Sequence, residues 1–251
     1  MLYAGIDIGS TAAKAVILSE DKSRILARHI MPSGWNSKDT AGEIFSRLTS
    51  EGYSREDMRI TATGYGRVSV PYADSTLTEI TCHAKGAAFL GGNDMTVIDI
   101  GGQDTKVITL KAGRASDFMM NDKCSAGTGK FLEVIANRMG LTLQEFFAAA
   151  ERGNEIRISS MCTVFAESEI VSLMGAGTPR EDIARGAVAS VVEKVSALVN
   201  LKNSPGGYFL TGGFCDSPLL VRRLGESLGG EVRTCSDGRY AGAIGAALLG
   251  K

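Results

Sequence analysis

No apolar run in the chain reaches the roughly 18 residues that a membrane-crossing helix needs, and no charged segment precedes a hydrophobic one at the N-terminus. A spanning protein and a secretory leader are therefore not expected, and a cytoplasmic location is. Neither sign of charge dominates: 27 Lys and Arg stand against 28 Asp and Glu, interspersed, for a net charge of −1. Without a basic stripe to neutralise phosphates, nucleic acid is excluded as a partner. No CxxC pair is present, which removes a zinc finger. Five cysteines, an odd number set far apart, do not make a disulfide framework; buried thiol, nucleophile and metal ligand stay open for each. Histidine occurs only twice.

With 251 residues, 44% of them hydrophobic, the chain can bury a sizeable core as one large domain or two small ones. An internal repeat favours two. Gly5-Ile-Asp-Ile-Gly-Ser-Thr-Ala-Ala-Lys14 and Val97-Ile-Asp-Ile-Gly-Gly-Gln-Asp-Thr-Lys106 align at a constant offset of 92, pairing Asp7 with Asp99, Gly9 with Gly101 and Lys14 with Lys106. In each copy an apolar run ends in Asp-Ile-Gly, crosses a few small or polar residues and resumes as a second apolar run. That pattern predicts a β-hairpin, not the strand-to-helix turn of a Walker loop.

Two such hairpins suit phosphate binding. Glycine lets backbone N–H groups approach an anion, so the first hairpin offers Gly9, Ser10, Thr11, Ala12, Ala13 and the Lys14 cation, and the second offers Gly101, Gly102, Gln103 and Lys106. Asp7 and Asp99 would repel a triphosphate directly but can hold the water shell of a bridging Mg²⁺. A third glycine cluster, Gly212 and Gly213, ends the apolar run Tyr208–Gly213, and Gly242 lies in a small-residue helix near the C-terminus; both permit close backbone approach. Gly127 and Gly129, in the turn after Cys124, join them as candidate nucleotide contacts.

The segment Met120-Asn-Asp-Lys-Cys-Ser-Ala-Gly-Thr-Gly-Lys130 puts Cys124 just ahead of a helical pattern, and Cys162 likewise precedes the pattern Thr163–Leu173. Helix N-termini carry partial positive charge and unsatisfied donors that stabilise a thiolate. Cys82, Cys215 and Cys235 lack partner spacing and read as packed thiols. His83, isolated from other catalytic types, reads as a satisfied helix residue. Glu167 and Glu169 are left between solvated surface and a role in domain coupling or partner contact.

The set GIDIGSTAAK, TATGYGR (61–67), VIDIGGQDTK, MNDKCSAGTGKFLE, SMCTVFAESE (160–169), LTGG and YAGAIGAALLG resembles the ATP-dependent activators of 2-hydroxyacyl-CoA dehydratases and the related reductases of double-cubane-cluster proteins. The resemblance covers nearly the whole chain, within the acetate kinase, sugar kinase, Hsp70 and actin superfamily. It implies an α/β fold of two ATPase subdomains, each with a mixed sheet opening in a hairpin: residues 1–92, completed by the helix 240–251, and residues 93–239, with ATP between them. It implies that Cys124 and Cys162 are the cluster ligands. Since a [4Fe–4S] cluster takes four thiolates and one chain supplies two, it implies a homodimer with one cluster. Gln103 and Asp104 fall where the superfamily orients the water that attacks the γ-phosphate; whether Asp104 is itself a base stays open. The implied activity is ATP hydrolysis coupled to one-electron transfer, from ferredoxin or flavodoxin to an iron–sulfur acceptor. A small-molecule kinase and an actin- or Hsp70-like binding module are the alternatives. In one place the chain departs from the dehydratase activators: it carries Met31-Pro-Ser-Gly-Trp-Asn-Ser-Lys38 where they have a Gly/Thr-rich segment. SMCTVFAESE and AGAIGAALLG are nearer the double-cubane branch, so the resemblance leaves the acceptor undecided.

Overall fold

A computed structural model describes residues 1–159, 162–202 and 207–251. In chain order the elements are β1 (Leu2–Ile8), β2 (Ala12–Leu18), β3 (Ile25–Pro32), α1 (Ser37–Ser50), β4 (Met58–Thr63), β5 (Ser75–Thr76), α2 (Glu79–Gly91), β6 (Met95–Ile100), β7 (Thr105–Lys111), β8 (Arg114–Asn121), α3 (Gly129–Arg138), α4 (Leu143–Arg152), α5 (Thr163–Gly175), α6 (Arg180–Asn200), β9 (Tyr208–Gly212), α7 (Pro218–Leu228), β10 (Val232–Arg233) and α8 (Ala241–Leu249). They separate into two compact units, residues 1–97 with 108–118 and 235–251, and residues 98–107 with 119–234. Strands β6, β7 and β8 each contribute to both.

Each repeat copy is a hairpin, as its alternating apolar runs and glycine turn predict. One five-stranded sheet runs β3-β2-β1-β4-β5 and the other β10-β9-β6-β7-β8. In the first, β1 pairs antiparallel with β2, placing Asp7 opposite Lys14, and parallel with β4, placing Asp7 opposite Thr63. The sheet is thus mixed, and β1 is buried along most of its length, as a strand covered on both faces must be. Edge strand β3 alternates exposed positions with partly buried ones, of which Met31 alone is fully buried.

Helix α8 explains why the C-terminus is so rich in glycine and alanine. Nearly all of it is buried. Its backbone lies against β1 and α2 so closely that a Cβ at Gly5, Gly86 or Gly245 would collide with the carbonyl oxygen of Ala243, Ala241 or Cys82 respectively. Glycine is required here for approach, not for turning. Gly245→Ala is therefore expected to cost about 2–3 kcal/mol by overpacking and to lower the melting midpoint by roughly 5–10 °C. Gly42→Ala, on α1 where nothing lies within 4 Å, is the control; it should stabilise by about 0.5–1 kcal/mol. Thermal denaturation of both variants measures the difference.

In the second unit α3, α4, α6 and α7 close over the sheet. Phe131, Leu132, Ile135, Phe146, Val188 and Leu220 form the centre of an apolar core that also takes in Ile98, Ile100 and Val107 of β6 and β7. Capping fixes several helix starts: Thr142 and Glu145 make a reciprocal capping box on α4. Ser217 caps α7, which opens on Pro218 and ends at a left-handed Gly229. Among the described residues no helix is long and apolar enough to cross a membrane.

Candidate functional site

The first hairpin sets a carboxylate among glycines. Asp7 is buried at the end of β1, and its Oδ1 has no hydrogen-bond partner among the described residues. A Cβ at Gly64 would run into Oδ1, and one at Gly242 would come within 2.5 Å of Oδ2, so only glycine fits on either side of it. An orphaned buried carboxylate oxygen is costly unless water or a cation satisfies it, which fits the water shell of a Mg²⁺. Ser10 and Thr11 at the turn are exposed, and Lys14 is half-buried. Ser33 ties the turn down by donating its N–H to Thr11 O at 3.0 Å and its hydroxyl to Gly9 O at 2.6 Å. The Gly66 N–H bonds Ile8 O at 2.9 Å from the other side.

The second hairpin keeps the same three residue types and uses them differently. Lys106 is buried, with Nζ 2.7 Å from Asp104 Oδ2 and 3.4 Å from Asp99 Oδ2. Asp99 Oδ1 accepts the Thr211 hydroxyl at 3.1 Å. Asp104 aligns with Ala12 in the first copy; that added carboxylate holds the lysine. Gln103 stands exposed at the turn. Gly212 adopts φ +92° and packs so tightly on Ile100 O and Asp99 that no side chain fits there, while the Gly213 N–H reaches Ile100 O. The third glycine cluster thus sits against the end of β6.

Cys124 and Cys162 are both exposed. Cys162 is the N-cap residue of α5, and Cys124 lies in the turn before α3, whose N-cap is Thr128. Thirty-eight residues apart, the two motifs meet: Ser125 Oγ and Thr163 Oγ1 are 2.8 Å apart. Glu167 on α5 accepts from Arg138 at the end of α3, with Nε at 2.8 Å. This gives it a bracing role between the two helices that follow the cysteines. Glu169 accepts the Ser159 N–H at 2.8 Å and its hydroxyl at 3.0 Å. Ser160 and Met161 of the SMCTVFAESE motif lie outside the described residues. Among those described, no group of three or more His, Cys, Asp or Glu could hold a metal ion. Two exposed thiols, one at the N-cap of α5 and one in the turn before α3, fit half of a four-thiolate site.

Cys82 and Cys215 are buried, and burial pushes the Cys82 thiol up to about 11, out of the reactive range. Cys235 is partly exposed. His83 is buried in α2.

Residues 4–250 match the BadF/BadG/BcrA/BcrD ATPase family. The chain belongs to that family. It is 42% identical to the (R)-2-hydroxyglutaryl-CoA dehydratase activating ATPase of Acidaminococcus fermentans over 97% of this chain and 95% of that protein. The crystal structure of component A of that dehydratase, from the same organism, superposes with a TM-score of 0.94 at 41% identity, covering 100% of this chain and 97% of that one. The activator of 2-hydroxyisocaproyl-CoA dehydratase from Clostridium difficile, solved with bound ADPNP, gives 0.93 at 38% identity over 100% and 94%. The family read from the seven motifs is thus borne out, with its α/β fold and its activity as an ATPase. Sequence reasoning missed Gly64, Ser33, Thr105 and the Ser125–Thr163 pair. Gly64 alone had a signal, since the run Ile60–Gly64 ends in Thr-Gly as Phe209–Gly212 does.

Proposed function

We propose that the protein is an ATP-driven, cytoplasmic, homodimeric reductase that passes one low-potential electron from ferredoxin or flavodoxin to an iron–sulfur partner, a double-cubane-cluster protein or a 2-hydroxyacyl-CoA dehydratase. One observation carries the reading: two exposed thiols, Cys162 at the N-cap of α5 and Cys124 in the turn that leads into α3, whose neighbouring residues are joined by the Ser125–Thr163 hydroxyl pair, with no group of three metal-ligating side chains around them among the described residues. A second copy completes such a site. A [4Fe–4S] cluster held by Cys124 and Cys162 of both copies supplies one-electron storage.

The chain's own residues do the rest. Asp7 orients the water shell of Mg²⁺, and Lys14 with the N–H groups of the Gly9–Ala13 turn neutralises phosphate charge. Gln103 positions the attacking water, and Asp104, fixed by Lys106, orients the hairpin that carries it. Relatives named as dehydratase activators support the partner class. The test is anaerobic purification followed by iron analysis, light scattering and ATPase assay. The expected result is a coloured dimer with about four irons per two chains that hydrolyses ATP and reduces an acceptor only with ATP present. Four irons per chain, or an iron-free monomer that transfers phosphate to a small molecule, would overturn it.

A further inference from the structure

The two hairpins differ at a position that the repeat makes easy to overlook. Where the first copy has Ala13, the second has Thr105, buried at 1% exposure, and its hydroxyl donates to Gly127 O at 2.7 Å. Two more bonds join the same elements: Gly129 N–H to Gly101 O at 2.9 Å and Lys130 N–H to Gly102 O at 2.8 Å. The first turn of α3 is therefore bonded directly to the hairpin that carries Gln103 and Asp104. From Gly127 the connection runs on to the cysteine. Asn121 Nδ2 donates to Ala126 O at 3.1 Å and to Cys124 O at 2.8 Å, and its Oδ1 accepts the Cys124 N–H at 3.3 Å, so one side chain encloses the turn.

The Cys124 side of the turn borders open volume, while Gly127 packs against Lys194 of α6 so closely that a Cβ there would meet its side chain. A cavity of about 610 Å³ borders the turn, lined by Thr105, Asn121, Cys124 and Gly127 on one side and by Lys194 and Leu198 of α6 on the other. A close-packed turn would resist displacement; one bordered by open volume shifts at little packing cost. Gly127, at φ +85°, sits where the chain bends.

We infer that Thr105 is a positioning residue that transmits the state of the Gln103–Asp104 hairpin to the Cys124 turn, with the Gly101 and Gly102 carbonyls as its fulcrum. The inference rests on the reading of that hairpin as nucleotide-responsive. The hairpin's displacement pulls Gly127 through the Thr105 hydroxyl and moves Cys124 relative to Cys162. The first hairpin, with Ala13, has no hydroxyl to make the corresponding link.

The test uses Thr105→Val, which keeps shape and removes the donor, and Thr105→Ser, which restores it. In the full-length, iron-free chain, alkylation of Cys124 is followed by mass spectrometry with no nucleotide, with ADP and with a non-hydrolysable ATP analogue. Cys162 in the same molecules is the reference. In the wild type the Cys124 rate relative to Cys162 should change between ADP and the analogue by about fivefold or more. The Val variant should lose that dependence while still binding both nucleotides, and the Ser variant should recover it. Asn121→Ala, which opens the turn itself, should raise the Cys124 rate in every nucleotide state and covers the case in which Thr105→Val does not fold. An unchanged nucleotide dependence in Thr105→Val, an absent one in the wild type, or no effect of Asn121→Ala overturns the inference. In iron-loaded protein the same variants are compared by electron paramagnetic resonance. A chain that takes up no iron but keeps the Thr105-dependent response retains the link and loses the reductase reading. A chain that takes up iron with its response indifferent to Thr105 does the reverse.

Discussion

Cys124→Ser and Cys162→Ser should each yield a folded, dimer-sized or monomeric chain that still binds ATP and has lost essentially all of its iron. The argument is one of ligand count. With two thiolates from each chain, a single substitution removes two of four ligands at once, and no described His, Cys, Asp or Glu stands close enough to both positions to replace them. Both side chains are exposed, so exchanging sulfur for oxygen should change stability by no more than about 0.5 kcal/mol. Loss of iron then reports ligation and not unfolding. Iron analysis, visible absorption and calorimetric ATP binding on the same preparation make the comparison. Full iron content in either variant would remove that cysteine from the ligand set. Cys235→Ser, the partly exposed cysteine outside both motifs, should keep its iron.

Why were these two cysteines readable in the sequence, while the way the chain joins them was not? Each precedes a helix whose start is local information: a glycine-rich turn before Phe131-Leu132, and an apolar pattern after Thr163. Both helices begin where the spacing predicts, α3 at Gly129 and α5 at Thr163. The Ser125–Thr163 contact spans 38 residues and leaves no periodic trace. The hairpins show the same divide. Asp-Ile-Gly between apolar runs predicted both, since strand alternation and a glycine turn are short-range properties. Their different electrostatics were hidden, because Lys14 and Lys106 are identical letters at equivalent positions. Only the fold shows that buried Asp99 and half-buried Asp104 together hold the buried Lys106 ammonium, while Asp7 Oδ1 has no hydrogen-bond partner among the described residues. The two units are also non-contiguous in sequence, residues 108–118 and 235–251 falling with the N-terminal part. The return of the C-terminal helix was expected from the resemblance, whereas the return of residues 108–118 depends on where β7 and β8 run and leaves no local trace in the sequence.

That asymmetry predicts that equivalent substitutions in the two hairpins will not have equivalent effects. Lys14→Ala removes a cation not committed to an ion pair among the described residues, so its loss should fall on nucleotide binding. The loss of a charge-assisted contact is worth about 1.5–3 kcal/mol, or roughly 10–150-fold in Kd. Lys106→Ala instead strands Asp99 and Asp104, two carboxylates that share one buried ammonium. Breaking such a pair costs about 3–5 kcal/mol, so the second variant should be limited by stability before binding can be read. Asp7→Asn keeps the shape that Gly64 and Gly242 enclose, and Asp7→Glu cannot enter it. The Asn variant should therefore fold and bind Mg·ATP more weakly, with the deficit largest in the presence of Mg²⁺.

Gln103→Ala is expected to behave unlike all of these. The side chain is exposed at the turn, so folding and ATP binding should be retained. The hydrolysis rate should fall by about 10²–10³-fold, the usual scale for removing one group that acts only in the transition state. Calorimetry with and without Mg²⁺, thermal denaturation and single-turnover hydrolysis separate the three classes of defect: affinity for Lys14 and Asp7, stability for Lys106, and rate for Gln103. If Gln103→Ala loses affinity in parallel with rate, the residue belongs with the binding groups, and the positioning of water passes to Asp104, whose carboxylate is already fixed 2.7 Å from the Lys106 ammonium.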